Sequence, residues 1–390
     1  MVSLAHGAVV FATLVLVLAK FLERRSVGDG TAQGVAKVRH IEAMQEESVR
    51  LYSDPYAKRM YPGSFVLGWL GASRSKRLFD AVCPGILELL TLRTKWIDDQ
   101  IAIHIHGNVN GNDKDPSSPA CGQMVILGAG YDTRGFRLDV FPEGFKIIEV
   151  DQPPVQASKQ RALKGIASYD DRVASCLKNN IVSFVEVDFN NNNNIRNDKN
   201  DTDNNNNDDS SMDAAVSGVD DSPSVGEKLR SSSSFNSHQK SIVLLEGVTQ
   251  YIPKSSTAST LKQLHEILPA GSILLISYVP QNILNVDVDD PGRQQQQQQQ
   301  IGSATASTIR FVLKMVAWYG EPWISAWTPP QFASFLSSDR CGGYEVLSDT
   351  TVMELKEKYL IPLMSKNRRI NKKHELALER YVVAEVVKNM

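Results

Sequence analysis

Three carboxylates and a pair of glycines stand where short apolar runs end, and together they could bind a nucleoside. Gly128 and Gly130 would let backbone amides approach a ligand closely and would permit a tight turn into a helix. Asp151 could accept hydrogen bonds from a ribose diol, and Asp188 with Phe189 could hold the amino group and face of an adenine. The apolar runs are Met124 to Leu127 before the glycines, Phe145 to Val150 before Asp151, Ile181 to Val187 before Asp188, and Ile242 to Leu245 before Glu246.

The glycine turn fits other nucleotide sites less well. A dinucleotide site of the Gly-x-Gly-x-x-Gly kind needs a third glycine, and this chain has Thr133 there. The chain also lacks a Gly-x-x-x-x-Gly-Lys-Ser/Thr loop and a Gly-x-Ser-x-Gly elbow, which argues against P-loop and α/β-hydrolase chemistry. A carboxylate at a strand end can also simply cap the next helix. A nicotinamide oxidoreductase and a non-catalytic nucleotide-binding module therefore stay open as alternatives.

The elements around these residues predict an α/β fold. Apolar runs alternate with helical stretches such as Pro153 to Leu163 and Ser255 to Leu268, a pattern typical of a parallel sheet covered on both faces. With Ile273 to Val279, Val346-Leu347 and Tyr381 to Val387, the count reaches seven strands. We therefore predict a doubly wound, mostly parallel seven-stranded sheet over residues 35–390. The helical pattern from 35 to 106 predicts an N-terminal helical cap.

Composition limits the possible partners. The chain has 390 residues and a net charge of −2, so no global charge attracts nucleic acid. Its four cysteines lie far apart and form no Cys-x-x-Cys pair, which argues against a structural zinc site, and we expect no metal. Residues 190–240 are dominated by Asn, Asp and Ser and are predicted to be a disordered insertion. Residues 290–303 contain a glutamine run and are predicted to be a loop.

The N-terminus reads as a hydrophobic anchor or signal over residues 1–25. Its first 19 residues carry no Asp, Glu, Lys or Arg, and Lys20, Arg24 and Arg25 follow. As a helix, 19 residues would span about 28 Å, close to the thickness of a bilayer core. Residues 1–22 therefore predict membrane anchoring with a cytoplasmic catalytic domain, because basic residues favour the cytoplasmic side. A cleaved signal peptide, or a buried helix in a soluble cytoplasmic protein, are the alternatives.

The motifs resemble the leucine carboxyl methyltransferase family of S-adenosylmethionine-dependent enzymes, and are most similar to its polyketide O-methyltransferase branch. The resemblance covers roughly Val49 to Val387 and is interrupted by the two low-complexity segments. It is carried by Asp54–Ala57, Arg93–Asp99, Val125–Arg134 with Phe136–Leu138, Glu149–Pro153, Glu246–Pro253, Trp323–Ser325 and Thr328-Pro329. It implies a class I, Rossmann-like methyltransferase fold with S-adenosylmethionine as the cofactor.

The resemblance also implies roles for individual residues. Arg93 would pair with the methionine carboxylate of the cofactor, or else form a helix-surface salt bridge with Asp98 or Asp99. Gly128 and Gly130 would pass beneath the methionine moiety, and Asp151 would bind the ribose hydroxyls. Asp188 and Phe189 would contact adenine, and Glu246 would lie beside the cofactor's amino group. Asp132 and Arg134 would form an ion pair that fixes the glycine loop.

The acceptor of the methyl group is left open by the sequence. An O-methyltransferase could act on a carboxylate or a hydroxyl, on a small molecule or on a protein C-terminus. A carboxylate is already ionised at pH 7 and needs no general base, whereas a hydroxyl needs one. We identify no catalytic residue from the sequence, and Tyr251 is the nearest polar candidate. The missing base favours a carboxylate acceptor. Substrate selection is expected from the cap and from Ala304 to Pro330.

Overall fold

A seven-stranded sheet forms the centre of the part of the chain that the computed structural model describes, which is residues 29–106, 121–188, 223–287, 303–366, 368 and 376–388. The strand order is β3-β2-β1-β4-β5-β7-β6. The first five strands pair in parallel, and β7 runs antiparallel to both β5 and β6. The strands are β1 (Gln123–Leu127), β2 (Lys146–Asp151), β3 (Val182–Glu186), β4 (Ser241–Leu245), β5 (Ile273–Tyr278), β6 (Tyr344–Thr351) and β7 (Arg380–Val386). The predicted mostly parallel, seven-stranded α/β fold is confirmed.

The central strands are apolar throughout because helices cover both faces of the sheet. Along β1, Met124 and Ile126 pack into one hydrophobic core, and Val125 and Leu127 pack into the other. This alternation follows from the two-residue repeat of a strand. The helices are α1 (Gly30–Ala43), α2 (Ser64–Val82), α3 (Ile86–His106), α4 (Arg134–Arg137), α5 (Pro153–Ala167), α6 (Asp171–Lys178), α7 (Val225–Ser231), α8 (Lys254–Ile267), α9 (Gln281–Leu284), α10 (Ser303–Trp318), α11 (Pro329–Ser337), α12 (Val352–Leu355) and α13 (Ile361–Met364). The helical cap is formed by α1, α2 and α3.

The strand order places a crevice between β1 and β4. From β1 the chain goes outwards to β2 and β3, and then returns to β4 on the other side of β1. At such a switch point the loops leaving two adjacent strands diverge, and ligands bind beyond the carboxyl ends of the strands. The glycine turn follows β1, and Glu246 follows β4. The topology therefore brings together the residues that the sequence singled out.

The predicted insertion ends earlier than expected. Residues 223–240 lie within the segment predicted to be disordered, yet they include helix α7. A capping box starts this helix, since Ser224 and Glu227 exchange side-chain and backbone hydrogen bonds. Val225 and Leu229 are completely buried against the sheet. The low-complexity interval is therefore corrected to end before residue 223, and residues 189–222 lie outside the described residues, as does the glutamine loop up to residue 302.

Substituting Leu229 by alanine should lower the free energy of unfolding by about 2–4 kcal/mol, because the change removes buried methyl groups and leaves a cavity. Arg230→Ala is the matched control, since Arg230 is exposed on the same helix. Leucine and arginine have similar helix propensities, so both substitutions change the helix propensity by about the same amount. Denaturant unfolding of both variants gives the comparison. Equal stability of the two variants would mean that α7 does not pack on the sheet.

The predicted transmembrane segment and membrane-anchored location require correction. Crossing a bilayer core takes about 20 consecutive, predominantly apolar residues. Within the described part of the chain, no helix combines that length with that apolarity. The longest described helix, α3, has 21 residues but carries charged side chains such as Glu88, Arg93 and Asp98 inside the protein. Residues 1–22, on which the prediction rested, lie outside the described residues, and the membrane assignment is withdrawn.

Candidate active site

The glycine turn after β1 and the carboxylate after β2 are joined by hydrogen bonds. The backbone N–H of Gly130 donates to Asp151 Oδ2 at 2.5 Å, and that of Gln152 donates to Oδ1 at 2.6 Å. Burial raises the pKa of Asp151, although these two bonds and the charge of Lys159 act in the opposite direction. Asp151 thus faces the glycine turn from the adjacent strand, β2.

Gly128 and Gly130 adopt backbone conformations that favour glycine. Their φ angles are +64° and +46°. A Cβ atom on Gly128 would lie 2.4 Å from Cγ2 of Val248, and one on Gly130 would lie 3.2 Å from Cβ of Ala32 in α1. No side chain fits at the first position without a shift of the following β4 loop. The turn therefore presents bare backbone to the crevice.

Glu246, after β4, lies between two arginines. Its Oε1 accepts from Nε of Arg93 at 2.7 Å, and its Oε2 accepts from Nη1 of Arg134 at 2.6 Å. Burial alone would raise the pKa of Glu246, but the two guanidinium groups outweigh it and hold the pKa below its usual value. Glu246 is therefore an anion at neutral pH, and each of its oxygens has a lone pair left for a further donor.

Arg93 is buried, and it does not form the surface salt bridge considered as an alternative. Besides Glu246, its Nη1 donates to both carboxylate oxygens of Glu379 at 2.8 and 3.0 Å. Asp98 instead accepts from Arg134, and Asp99 accepts from Lys95. The remaining nitrogen of Arg93, Nη2, takes no part in these bonds. Arg93 also lines the crevice.

Arg134 connects the turn to the cap. Its Nη1 also donates to Asp132 Oδ2 at 2.5 Å, and its Nε donates to Asp98 Oδ1 on α3 at 2.8 Å. The ion pair predicted between Asp132 and Arg134 is therefore present. The side chain of Arg134 is 2% exposed, so this guanidinium forms ion pairs with three carboxylates inside the protein. This cluster links β1, β4 and α3, and it sets the shape of the glycine turn.

Asp188 lies beside Gln152 but is not among the described residues that line the crevice. The amide of Gln152 donates to Asp188 Oδ1 at 3.4 Å, and Gln152 lines the crevice. Phe189 lies outside the described residues. The adenine contacts inferred from the resemblance therefore remain predictions for both Asp188 and Phe189.

A cavity of about 620 Å³ opens between the strand ends and the cap. Five of the proposed cofactor residues line it, namely Arg93, Gly128, Gly130, Asp151 and Glu246, together with side chains from α1, α2, α3 and α10. Sequence reasoning missed Glu379, Thr31 and Glu321. Each acts through a partner far away in the chain, because Glu379 meets Arg93 and Glu321 meets Thr31, and no local motif signals either pairing.

The sequence profile of the leucine carboxyl methyltransferase family matches residues 32–265, which is more than half of the 390 residues. The chain belongs to the leucine carboxyl methyltransferase family. The match begins in α1 and extends through most of α8, so it includes the glycine turn, Asp151 and Glu246.

Bacterial proteins are similar to this chain at moderate sequence identity. A Streptomyces coelicolor protein is 35% identical over 140 residues, covering 34% of this chain and 42% of that protein. A Bacillus subtilis protein is 24% identical over 233 residues, covering 60% of this chain and 58% of that protein. Both are named as S-adenosyl-L-methionine-dependent methyltransferases, and each name marks the activity as inferred. This chain thus spans about half the length of the curated relatives it matches, or less.

Solved structures are similar at a greater distance. A protein from Streptomyces avermitilis is 12% identical, with a TM-score of 0.45, covering 88% of this chain and 99% of that chain. A Thermobifida fusca protein named as a methyltransferase is 12% identical, with a TM-score of 0.43. The match covers 90% of this chain and 93% of that chain. The fold class of this family member rests on its own strand order and register.

Acid should destabilise this methyltransferase family member through its buried carboxylates. Burial raises the pKa values of Asp54, Asp132 and Glu246, but neighbouring arginines outweigh it and lower all three. A lowered folded-state pKa means that the unfolded chain binds the proton more tightly. The resulting stability is complete above the unfolded value near 4 and is lost as pH falls through the folded value. We therefore expect the free energy of unfolding to fall below about pH 4.5.

Denaturant unfolding across a pH series measures this dependence. The free energy of unfolding of Glu246→Gln should fall less steeply with decreasing pH than that of the unmodified chain, because the variant lacks one of the three carboxylates. Glu143→Gln removes an exposed carboxylate and should leave the pH dependence of the free energy of unfolding unchanged. Identical pH dependence in all three proteins would show that folding does not lower the pKa of Glu246.

Proposed function

We propose that this chain transfers the methyl group of S-adenosylmethionine to an oxygen atom of an acceptor. The observation that carries the proposal is the set of strand-end groups around one cavity, with a bare glycine turn facing Asp151 and the buried anion Glu246. When bound, the cofactor would supply a sulfonium methyl group, whose carbon an oxygen nucleophile attacks in line with the departing sulfur. The protein's part is to hold the two reactants close to that line, since positioning supplies much of the rate gain.

The residues present fit this cofactor. The turn at Gly128 leaves a space that a Cβ atom would fill, so a methionine moiety could lie against backbone there. Asp151 would accept from the ribose hydroxyls. Glu246 would accept from the amino group, and Arg93 Nη2 would donate to the carboxylate. Asp188 and Phe189 would contact adenine.

The nicotinamide oxidoreductase alternative has less support. Thr133 occupies the place of the third glycine, is completely buried, and donates from Oγ1 to Asp54 Oδ2 at 2.6 Å. That side chain joins the turn to the cap, where a dinucleotide site has a glycine for close packing of the helix. A non-catalytic module is separated from an enzyme only by an activity measurement.

Mass spectrometry with S-adenosylmethionine carrying a deuterated methyl group tests the proposal. The panel should contain small phenols, alcohols and carboxylic acids together with peptides that end in a free carboxylate. We expect a deuteriomethyl product and an equal amount of S-adenosylhomocysteine. Cofactor binding with no product from any acceptor would favour the non-catalytic module, and reduction of NAD by a panel member would favour the oxidoreductase.

Arg93→Lys tests the carboxylate contact separately. A guanidinium can donate to Glu246, Glu379 and a ligand at once, whereas an ammonium has a single nitrogen. We expect affinities for S-adenosylmethionine and S-adenosylhomocysteine to fall about tenfold, with adenosine affinity unchanged, because adenosine lacks the carboxylate. Calorimetric titration of the three ligands gives the comparison. Equal loss for all three would mean that Arg93 acts only by holding the two glutamates.

A further inference from the structure

Glu321 lies at the cavity in the loop after α10, and its carboxylate is held from one side. Its Oε2 accepts from the backbone N–H of Thr31 at 3.2 Å and from the Thr31 hydroxyl at 2.5 Å. Both bonds end on the same oxygen, so Oε1 takes no part in them. Thr31, Tyr251 and Trp323 line the cavity next to it. The carboxylate of Glu321 thus lies where α1 meets the loop that follows β4 and contains Tyr251.

The other carboxylates that line the described cavity already have charged or amide partners. Asp132, Glu246 and Glu379 are bound by arginines, and Asp151 accepts from two backbone amides. Glu321 accepts from the hydroxyl and the backbone amide of Thr31, and no arginine in the described part of the chain forms an ion pair with it. Among these five carboxylates Asp151 and Glu321 have no arginine partner, and both oxygens of Asp151 accept hydrogen bonds whereas those of Glu321 end on Oε2 alone.

Other groups that could accept a proton are poorly suited. Burial raises the pKa of Tyr251 to about 12 and that of Cys83 to about 12, so both stay protonated near neutral pH. Histidine does not occur among the described residues that line the cavity. Burial also raises the pKa of Glu321, and the carboxylates of Asp29 and Asp151 add to this, while its bonds to Thr31 oppose it. That direction moves Glu321 towards the range in which a general base works best at neutral pH.

The charge of the cavity disfavours an anionic acceptor beside Glu321. Five acidic and three basic residues line it. Two of the basic residues are already paired, Arg39 with Asp54 and Arg93 with Glu246 and Glu379. The third, Lys37, lies 5.7 Å from the ring centre of Tyr61. A second carboxylate next to Glu321 would be repelled, whereas a hydroxyl could donate to it.

Much of the cavity lining is apolar. Helices α1, α2 and α10 line it with aliphatic and aromatic side chains, among them Val35, Val38, Phe79, Val82, Phe311 and Met315. Val82 and Phe311 are 40% and 41% exposed, so the apolar lining continues to the surface. An acceptor that fills this space would bury an apolar body and gain free energy from doing so.

We infer that Glu321 is the general base for methyl transfer to a hydroxyl, and that the acceptor is an apolar small molecule bearing that hydroxyl. The inference rests on the methyltransferase function proposed above. As the acceptor oxygen forms its bond to the methyl carbon, the carbon–sulfur bond breaks and its electron pair stays on sulfur. The hydroxyl proton moves to Oε1 of Glu321. The products are a methyl ether, neutral S-adenosylhomocysteine and a protonated Glu321 that then releases its proton to solvent.

Matched acceptor pairs test the substrate class. The probes are 2-naphthol with 2-naphthoic acid and 4-phenylphenol with 4-phenylbenzoic acid, each incubated with the full chain and deuteriomethyl cofactor. Within each pair the apolar body is the same, so the reacting group alone differs. We expect kcat/KM to be at least tenfold higher for the hydroxyl member. Preferential methylation of the acids would overturn the inference. So would protein that binds S-adenosylhomocysteine but methylates neither hydroxyl compound. Protein that binds no S-adenosylhomocysteine would contradict the proposed function instead.

Glu321→Gln tests the role of the side chain. Glutamine keeps an oxygen to accept from Thr31, so the loop should stay in place, but an amide cannot take the proton. We expect kcat for the hydroxyl probes to fall about 100-fold or more and the rise of rate with pH on the acid side to disappear. Affinity for S-adenosylhomocysteine should stay within twofold, and Glu143→Gln should behave as the unmodified chain. An unchanged pH profile would overturn the general-base role. A loss confined to cofactor affinity would also overturn it, because it would make Glu321 a cofactor ligand.

Discussion

Replacing Arg134 by glutamine should lower the free energy of unfolding by about 3–5 kcal/mol, one of the largest effects of any single change in the chain. The variant removes the guanidinium shared by Asp98, Asp132 and Glu246. Arg137 and Arg93 still pair with Asp98 and Glu246, so the buried Asp132 loses its arginine partner. Breaking a buried pair by removing one partner strands the other in a medium that solvates it poorly.

The exposed pair of Arg172 with Asp139 provides a matched control for this change. The two side chains are 38% and 85% exposed, so Arg172→Gln should cost less than about 1 kcal/mol. Urea unfolding of both variants at neutral pH makes the comparison. If Arg134→Gln were no less stable than Arg172→Gln, the carboxylates of the cluster would have to be protonated in the folded protein.

Asp151→Ala should weaken S-adenosylhomocysteine binding by roughly 1–3 kcal/mol, which corresponds to about 5- to 150-fold in affinity. The change leaves the ribose hydroxyls without an acceptor, and it also frees the N–H of Gly130 that shapes the turn. Adenosine binding should weaken as well, because adenosine carries the same ribose. This pattern differs from that expected of Arg93→Lys, which spares adenosine.

Calorimetric titration of folded protein measures both affinities for the Asp151 variant. Asp171→Ala is the control, since Asp171 is an exposed carboxylate in the first turn of α6. Unchanged affinity in Asp151→Ala would remove the ribose role and leave Asp151 as a residue that only positions the glycine turn.

The sheet and one edge of the site could be predicted because short, contiguous sequence patterns specify both. A parallel strand buried on both faces is a short apolar run, and Met124–Leu127 is one that ends directly in the glycine turn. Once strand ends are known, the topology of a doubly wound sheet brings Gly128, Asp151 and Glu246 to the same edge. The predicted seven strands therefore implied the proximity of these residues before any contact was known.

The cap side of the site could not be predicted in the same way. Thr31 and Glu321 lie 290 residues apart, and Arg93 and Glu379 lie 286 apart. Their pairing depends on how α1, α3 and the segment before β7 pack, which periodicity does not encode. The absence of a visible base in the sequence favoured a carboxylate acceptor, and that preference is reversed in our inference because Glu321 reaches the cavity only in the folded chain.

Composition misled in one place where a local signal was present. The Asn- and Ser-rich stretch masked helix α7, although Ser224 and Glu227 have the spacing of a capping box. Val225 and Leu229 then follow at the four-residue spacing of a buried helix face. Attention to these four residues would have ended the predicted insertion at the correct place.

Titration of the unmodified chain with S-adenosylhomocysteine, and in parallel with NAD, is the most direct test that the strand-end cavity is a methyl-donor site. Isothermal calorimetry reports both affinity and stoichiometry without requiring the acceptor. Our account predicts saturable binding of one S-adenosylhomocysteine per chain, with NAD bound at least 100-fold more weakly. Binding of NAD in preference, or no binding of S-adenosylhomocysteine by folded protein, would contradict it.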